Sequence, residues 1–283
     1  MEDRTITVGI DGSAESLYAA IWAAREARRR SVTLRLAHVE DTPAQPTGLP
    51  ELDAPAQRER RELDRAVRAL SYGNPGLNIV ADSLTGPPAP ALVDAARGSC
   101  ALVVGSRGRS ALEGMLVGSV ALAVTARARC PVVLVRAPRH PGQAPARPAA
   151  AEPVVAGVDL DHPCDAVLAQ AFSAAALRQA PLIVVHVWST PLLADTSSGL
   201  PEPETTLRRH LAAAVAPWRS KYPHTPVTER LAHGPAAHTL RKAGAGASLL
   251  VVGRPGGPHR RLGSTLHSVI HHIQCPVVVV PHD

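Results

Sequence analysis

Leu102-Val103-Val104-Gly105-Ser106-Arg107-Gly108-Arg109-Ser110-Ala111-Leu112-Glu113-Gly114-Met115-Leu116-Val117-Gly118-Ser119 runs from a short apolar strand through a glycine-rich loop to the start of a helix. Glycines let a backbone approach a bound anion closely and adopt positive φ. A helix start at Gly118-Ser119 offers free N–H groups and a positive dipole end, and the Ser119 hydroxyl adds a donor. Arg107 and Arg109 either reach a phosphate or sit in water. The same glycines also suit a tight turn with close helix packing, and both readings stand at this point. The loop is not a nucleotide-hydrolysing P-loop, which needs Gly-Lys-Ser/Thr. The only lysines are Lys221 and Lys242, and neither follows a glycine. Nor does Gly9-Ile10-Asp11-Gly12-Ser13, in the first strand–helix turn, fit the dinucleotide fingerprint.

Working outward, the same landmarks recur. Val8-Gly9-Ile10-Asp11 returns as Ala156-Gly157-Val158-Asp159, Ala37-His38-Val39 as Val185-His186-Val187, Gly86-Pro87 as Gly234-Pro235, and Leu102-Val103-Val104-Gly105 as Leu250-Val251-Val252-Gly253, all offset by 148 positions. Gly118-Ser119 then returns as Gly263-Ser264 and Cys130-Pro131-Val132-Val133 as Cys275-Pro276-Val277-Val278, offset by 145. One change of offset in a constant register means a duplicated domain with a three-residue deletion inside the second glycine loop. Residues 137–153 hold five prolines, which suit neither a helix nor a central strand. The expected organisation is domain 1 at 1–137, a linker at 138–152 and domain 2 at 153–283.

Within the first copy, Thr5–Asp11, Val32–Val39, Leu77–Leu84, Ala101–Val104 and Val132–Val135 read as strands. Leu17, Ala20, Ile21, Ala24 and Ala27 recur at helical spacing behind a Ser13 cap. Arg58–Leu70, Pro90–Arg97 and Gly118–Arg127 read as further helices, and the proline-rich Asp41–Ala56 as a loop. Strands alternating with helices predict an α/β domain with a parallel sheet covered on both faces. Ligands then bind outside the carboxyl ends of the strands, at the switch in strand order, where Asp11, Val39 and Gly105 would converge. The last strand is short and apolar, a hazard at an open edge, and pairing with its counterpart would cover it.

Composition narrows the function classes. The chain has 283 residues, room for two domains. Aromatics are 2% of it, so the cores must be built from Ala, Val and Leu. The net charge of +6 is spread, with 18 Lys/Arg against 15 Asp/Glu in residues 1–140 and 12 against 9 afterwards. That is not the clustered positive charge of a nucleic-acid footprint. Cys100, Cys130, Cys164 and Cys275 form no C-x-x-C pair, and reduced thiols are expected. With no leader-like or membrane-length apolar run, a cytoplasmic protein is expected, with no membrane partner.

Gly105-x2-Gly108-x9-Gly118-Ser119 resembles the ATP-binding pattern of the universal stress proteins. Gly9-Ile10-Asp11-Gly12-Ser13, His38-Val39, Gly86-Pro87 and Cys130-Pro131-Val132-Val133 are similar to that family's other marks, and both copies carry the likeness. The tandem arrangement looks like that of actinobacterial members. The resemblance implies two Rossmann-like, adenine nucleotide alpha hydrolase-like domains, each a five-stranded parallel sheet flanked by helices, with last strands that pair within a chain or in a homodimer. It implies ATP as ligand, often with Mg2+, and AMP or ADP as alternatives. Asp11 and Val39 would contact adenosine, and Gly105, Gly108, Gly118 and Ser119 the phosphates. Gly9, Ile10, Ser13, Arg107 and Val120 would complete that site. A weaker second site would use Gly157, Asp159, Val187, Gly253, Gly256, Gly263 and Ser264. Its loop is three residues short, and Pro255 and Pro258 lack backbone donors, although Arg260 and Arg261 supply charge.

Other groupings point elsewhere with less force. His267 and His271 share a helix face near Cys275, a zinc-compatible spacing, but the first copy has Leu122 and Ala126 there, so structural or solvated histidines and no metal are expected. Asp11 and His38 suggest acid–base chemistry but lack an accompanying nucleophile. Cys130 and Cys275 read as small buried residues. The expected function is nucleotide-dependent regulation of a stress response without catalysis. The alternatives are a weak ATP hydrolase and a dimerisation scaffold that binds nothing.

Overall fold

A computed structural model describes residues 5–40, 50–108, 117–137, 152–189, 204–255 and 262–282, with side chains at 50–60 and 62 outside the description. The elements fall into two compact units. The first runs β1 (Thr5–Ile10), α1 (Ala14–Arg30), β2 (Thr33–Glu40), α2 (Pro50–Gly73), β3 (Ile79–Thr85), α3 (Pro88–Ala95), β4 (Ala101–Gly105), α4 (Ser119–Arg127) and β5 (Val132–Val135). Its strands are all parallel, in the order β3-β2-β1-β4-β5. The chain thus leaves β1 for one side of the sheet and later returns to β4 on the other. A crevice opens between the carboxyl ends of β1 and β4, where ligands bind in open α/β sheets.

Local chemistry explains the elements that frame this crevice. Ser13 caps α1 by accepting the Ser16 N–H at 3.1 Å. The helix closes at Ser31, which takes the left-handed conformation (φ 53) and donates back to Ala27 and Arg28. The buried stripe of α1 is Ser16, Ala19, Ala20, Ala23, Ala24 and Ala27. Leu17, expected on that face, is 42% exposed instead. The small-residue stripe lets α1 approach the sheet so closely that a Cβ on Gly105 would lie 2.8 Å from the Glu15 carbonyl carbon, and a leucine there would hold the helix off. A second correction concerns the expected loop at Asp41–Ala56, because α2 already begins at Pro50. Proline at a first helical position gives up a donor that has no intrahelical partner, so it starts this helix where its presence suggested a loop.

The second unit repeats the plan with β6 (Val154–Val158), α5 (Asp165–Arg178), β7 (Leu182–Trp188), α6 (Glu204–Lys221), β8 (Val227–His233), α7 (Ala236–Gly244), β9 (Leu249–Pro255), α8 (Ser264–His272) and β10 (Val277–His282). Its parallel order is β8-β7-β6-β9-β10, with the switch between β6 and β9. Val, Leu, Ile and Ala fill both cores as expected. An aromatic exception is Phe172, fully buried on α5 with its ring centroid 6.2 Å from that of Trp218 and 5.7 Å from that of Tyr222 on the α6 side.

Candidate functional site

In the first unit the two ends of the expected motif meet. A Cβ on Gly108 would lie 2.6 Å from Asp11 Oδ2, so the loop after β4 runs directly against the carboxylate at the end of β1. The other oxygen, Asp11 Oδ1, accepts the Ser13 N–H at 3.0 Å, and the Asp11 N–H donates to Ser16 Oγ at 3.3 Å. Gly12 turns the chain between them at φ 78, a conformation glycine adopts without strain. Gly118 returns the loop, donating its N–H to the Ser106 carbonyl at 2.8 Å. It lies beside Gly108, whose nitrogen would be 3.6 Å from a Cβ at 118. Gly118 caps α4 without a side-chain bond. The N–H groups of Ser119, Val120 and Ala121 therefore point off the helix end with no intrahelical acceptor. Ser106, beside them in sequence, is 2% exposed and its Oγ has no hydrogen-bond partner.

Other expected residues occupy different settings. Gly9 lies inside β1, where a Cβ would meet Leu92 of α3 at 3.1 Å, and Ile10 is buried; both shape the sheet under the crevice. Val39 ends β2 beside Leu84 of β3. Arg107 Nη2 pairs with Glu15 Oε1 at 2.8 Å, which ties the loop to α1. His38 is buried and its Nδ1 donates to the Ile10 carbonyl at 2.8 Å, and His186 does the same to Val158 at 3.1 Å. The repeated histidine thus stitches the second strand of each unit to the first. Arg109 lies outside the described residues.

The second unit encloses a cavity of about 620 Å³ at the same end of its sheet. Asp159, Val187, Gly253 and Gly263 line it, four of the seven residues expected at a second site. Ser264 begins α8 directly behind Gly263. Gly157, which also lines the cavity, meets Leu240 of α7, at 2.8 Å from a Cβ placed there. Gly256, Pro258, Arg260 and Arg261 lie outside the described residues. Asp159 is engaged locally, accepting the Asp161 N–H at 3.1 Å and His162 Nδ1 at 3.0 Å. Trp188, Arg254, His282 and Cys164 also line the cavity, and sequence reading passed over all four. The readable signal lay in comparing the copies, since Trp188 stands where the first has Glu40, Arg254 where it has Ser106 and His282 where it has Ala137.

His267 and His271 stack with ring centroids 4.2 Å apart, but no cluster of three or more His, Cys, Asp or Glu side chains suited to a metal exists among the described residues. The four cysteines are free thiols and all partly accessible, so Cys130 and Cys275 are not the fully buried residues expected. Burial nevertheless pushes the Cys275 thiol up to about 12. Cys164 is also raised, by burial first and then by the neighbouring Asp165.

A family model described as the universal stress protein family matches residues 3–136 and again residues 151–281. The chain belongs to the universal stress protein family. Two universal stress proteins of Mycobacterium tuberculosis illustrate the tandem form. One is 31% identical over 97% of this chain and 96% of its own length. The other is 32% identical over 98% of this chain and 96% of its own. A solved universal stress protein of Archaeoglobus fulgidus shares the fold over 99% of this chain and 97% of its own, with a TM-score of 0.71 at 18% identity. The α/β fold and the tandem of universal stress protein domains follow from these matches. No helix among the described residues is long and apolar enough to cross a membrane.

Proposed function

We propose that the first domain binds ATP in the crevice between β1 and β4, and that its occupancy regulates a partner or the protein's own conformation in a stress response. The observation that carries this reading is the approach of Gly108 to the Asp11 carboxylate, beside a helix start whose N–H groups have no intrahelical acceptor. The residues fit an adenine nucleotide. Asp11 and Val39 would face adenosine, and Gly105, Gly108, Gly118, Ser119 and Val120 would cradle phosphates with backbone donors, which anions favour at such a helix end. The orphaned Ser106 hydroxyl supplies one more buried donor near the loop. Mg2+ would supply charge neutralisation between phosphates when bound. Arg107 would have to leave Glu15 to assist.

We read the site as one for binding and not for turnover. His38, the side chain best suited by type to act as a base, is buried and already bonded to the Ile10 carbonyl. The second domain would bind nucleotide more weakly or with altered preference, because its shortened loop offers fewer backbone donors. AMP and ADP remain ligands of the same proposal, as do the domain limits at 137 and 153 and a cytoplasmic location. So does pairing through β5 and β10, each an apolar edge strand of its own unit's sheet, within the chain or between two copies. Calorimetric titration of nucleotide-free protein with ATP and Mg2+ tests the reading. One site per chain, lost on Asp11→Ala, supports it. No binding would overturn it in favour of a scaffold.

A further inference from the structure

The second unit's cavity differs from the first unit's crevice in the chemistry of its two ends, and the differences are ordered along the sheet. Trp188 stands at the carboxyl end of β7, Asp159 just past β6, Arg254 near the end of β9 and His282 at the end of β10. All four line one cavity. Adjacent strands lie about 4.8 Å apart, so Trp188 and Arg254 are roughly 10 Å apart across the strand ends and His282 lies one strand further. The Trp188 ring is held edge-on to His233, centroids 4.6 Å apart at 68°, which presents a fixed aromatic wall. At the other end, Arg254 is 5% exposed. The His282 ring closes over Gly253, where a Cβ would meet its Nε2 at 2.8 Å. Its buried Nδ1 has no hydrogen-bond partner. The acidic side chain between the ends, Asp159, is occupied by His162 and the Asp161 N–H.

We propose that this cavity is a second ligand site of changed specificity. It takes a planar aromatic ring joined to one compact anionic group, of the nucleoside monophosphate class, and holds the anion with the side chains of Arg254 and His282 instead of the backbone of a glycine loop. The proposal rests on reading this cavity as a ligand cleft. The loop between β9 and α8 is three residues shorter than its counterpart, and Pro255 gives no N–H, so a long phosphate chain loses its backbone seats. A guanidinium matches a single phosphate through two parallel hydrogen bonds. Tryptophan at the far end supplies a stacking surface for the ring. None of these three side chains is shared with the first copy, so the duplicated domains would divide ligands by the length of the anionic tail.

Tryptophan fluorescence of the full-length protein tests this, with AMP, adenosine and ATP as probes and Trp188→Phe identifying the part of the signal that arises in the second cavity. AMP should perturb Trp188 at concentrations about tenfold or more below adenosine, the effect of one charge-assisted hydrogen bond, and at no higher concentration than ATP. Arg254→Ser and His282→Ala, which install the first copy's residues, should each weaken AMP and leave adenosine unchanged. If Arg254→Ser fails to fold by circular dichroism, His282→Ala and the AMP-to-adenosine ratio of the unsubstituted protein carry the test. Equal response to AMP and adenosine, tighter response to ATP, or no response of Trp188 to any of the three overturns the proposal. ATP binding that is lost on Asp11→Ala reports separately on the first domain.

Discussion

Gly108→Ala offers the sharpest separation of binding from stability. The added methyl would lie 2.6 Å from Asp11 Oδ2, a contact real side chains do not make, so the carboxylate has to rotate away. Gly108 is not among the positive-φ glycines, so the backbone itself accepts alanine. Moving Asp11 strains or breaks the Ser13 N–H bond to Oδ1. A bond to a charged acceptor is worth about 1.5–3 kcal/mol, part of which water restores at this half-exposed site. The net stability loss should be about 1 kcal/mol, a fall in Tm of a few degrees for a chain of this size. ATP would meet both a displaced carboxylate and a narrower loop, and its affinity should fall by about ten- to a hundredfold, or about 1.4–2.8 kcal/mol. Gly105→Ala is the control with the opposite pattern. Its methyl would meet backbone atoms of Glu15 and Ser16 at 2.8 and 2.9 Å, which cannot swing aside, so overpacking of about 1–3 kcal/mol or more appears as lost stability. Thermal unfolding and calorimetry on both variants decide the matter. ATP affinity within twofold of the unsubstituted protein in a folded Gly108→Ala variant would refute the assignment of this contact to the binding site.

Three further outcomes follow from packing and charge. Glu26, 3% exposed on α1, pairs with Arg30 at 2.7 Å and Arg29 at 3.6 Å; Glu26→Ala should lower stability by about 1–3 kcal/mol in urea unfolding, and an unchanged midpoint would contradict the pairing. Gly157→Ala should destabilise more than Gly9→Ala, because its methyl would meet Leu240 at 2.8 Å where that of Gly9 meets Leu92 at 3.1 Å; paired melts of the two variants read the order directly. The Cys275 thiol, raised to about 12 from 9.0, stays protonated in the fold while the unfolded chain ionises it. The stability it contributes is full below pH 9 and declines as pH rises from there toward 12. At pH 8 it should resist alkylation until the protein is unfolded, and rapid native-state labelling of Cys275 by mass spectrometry would count against its burial.

Much of the architecture is legible without coordinates because its signals are local. A period of two or of 3.6 residues marks strands and helices, and a constant offset between Val8-Gly9-Ile10-Asp11 and its second copy exposes the duplication. Glycine spacing after β4 marks a loop that approaches something closely, but not what it approaches. Only the strand order β3-β2-β1-β4-β5 brings Gly108 to Asp11, nearly a hundred residues away, and tells that contact apart from Gly9, whose missing side chain makes room for Leu92. Ion pairing is equally non-local, and Arg107 turns to Glu15 because α1 packs against the end of β4. Helix phase also had to await packing. Leu17 and the alanine stripe both satisfy helical spacing, and the close approach demanded at Gly105 selects the smaller face. In the second unit, Trp188, Arg254 and His282 are separated by up to 94 positions in the chain and become neighbours because parallel strands end on one side of a sheet. Sequence determines which segments form strands and helices, since those preferences reside in a few adjacent residues. Tertiary structure decides which of their ends share a cavity, since that depends on the order in which strands pair.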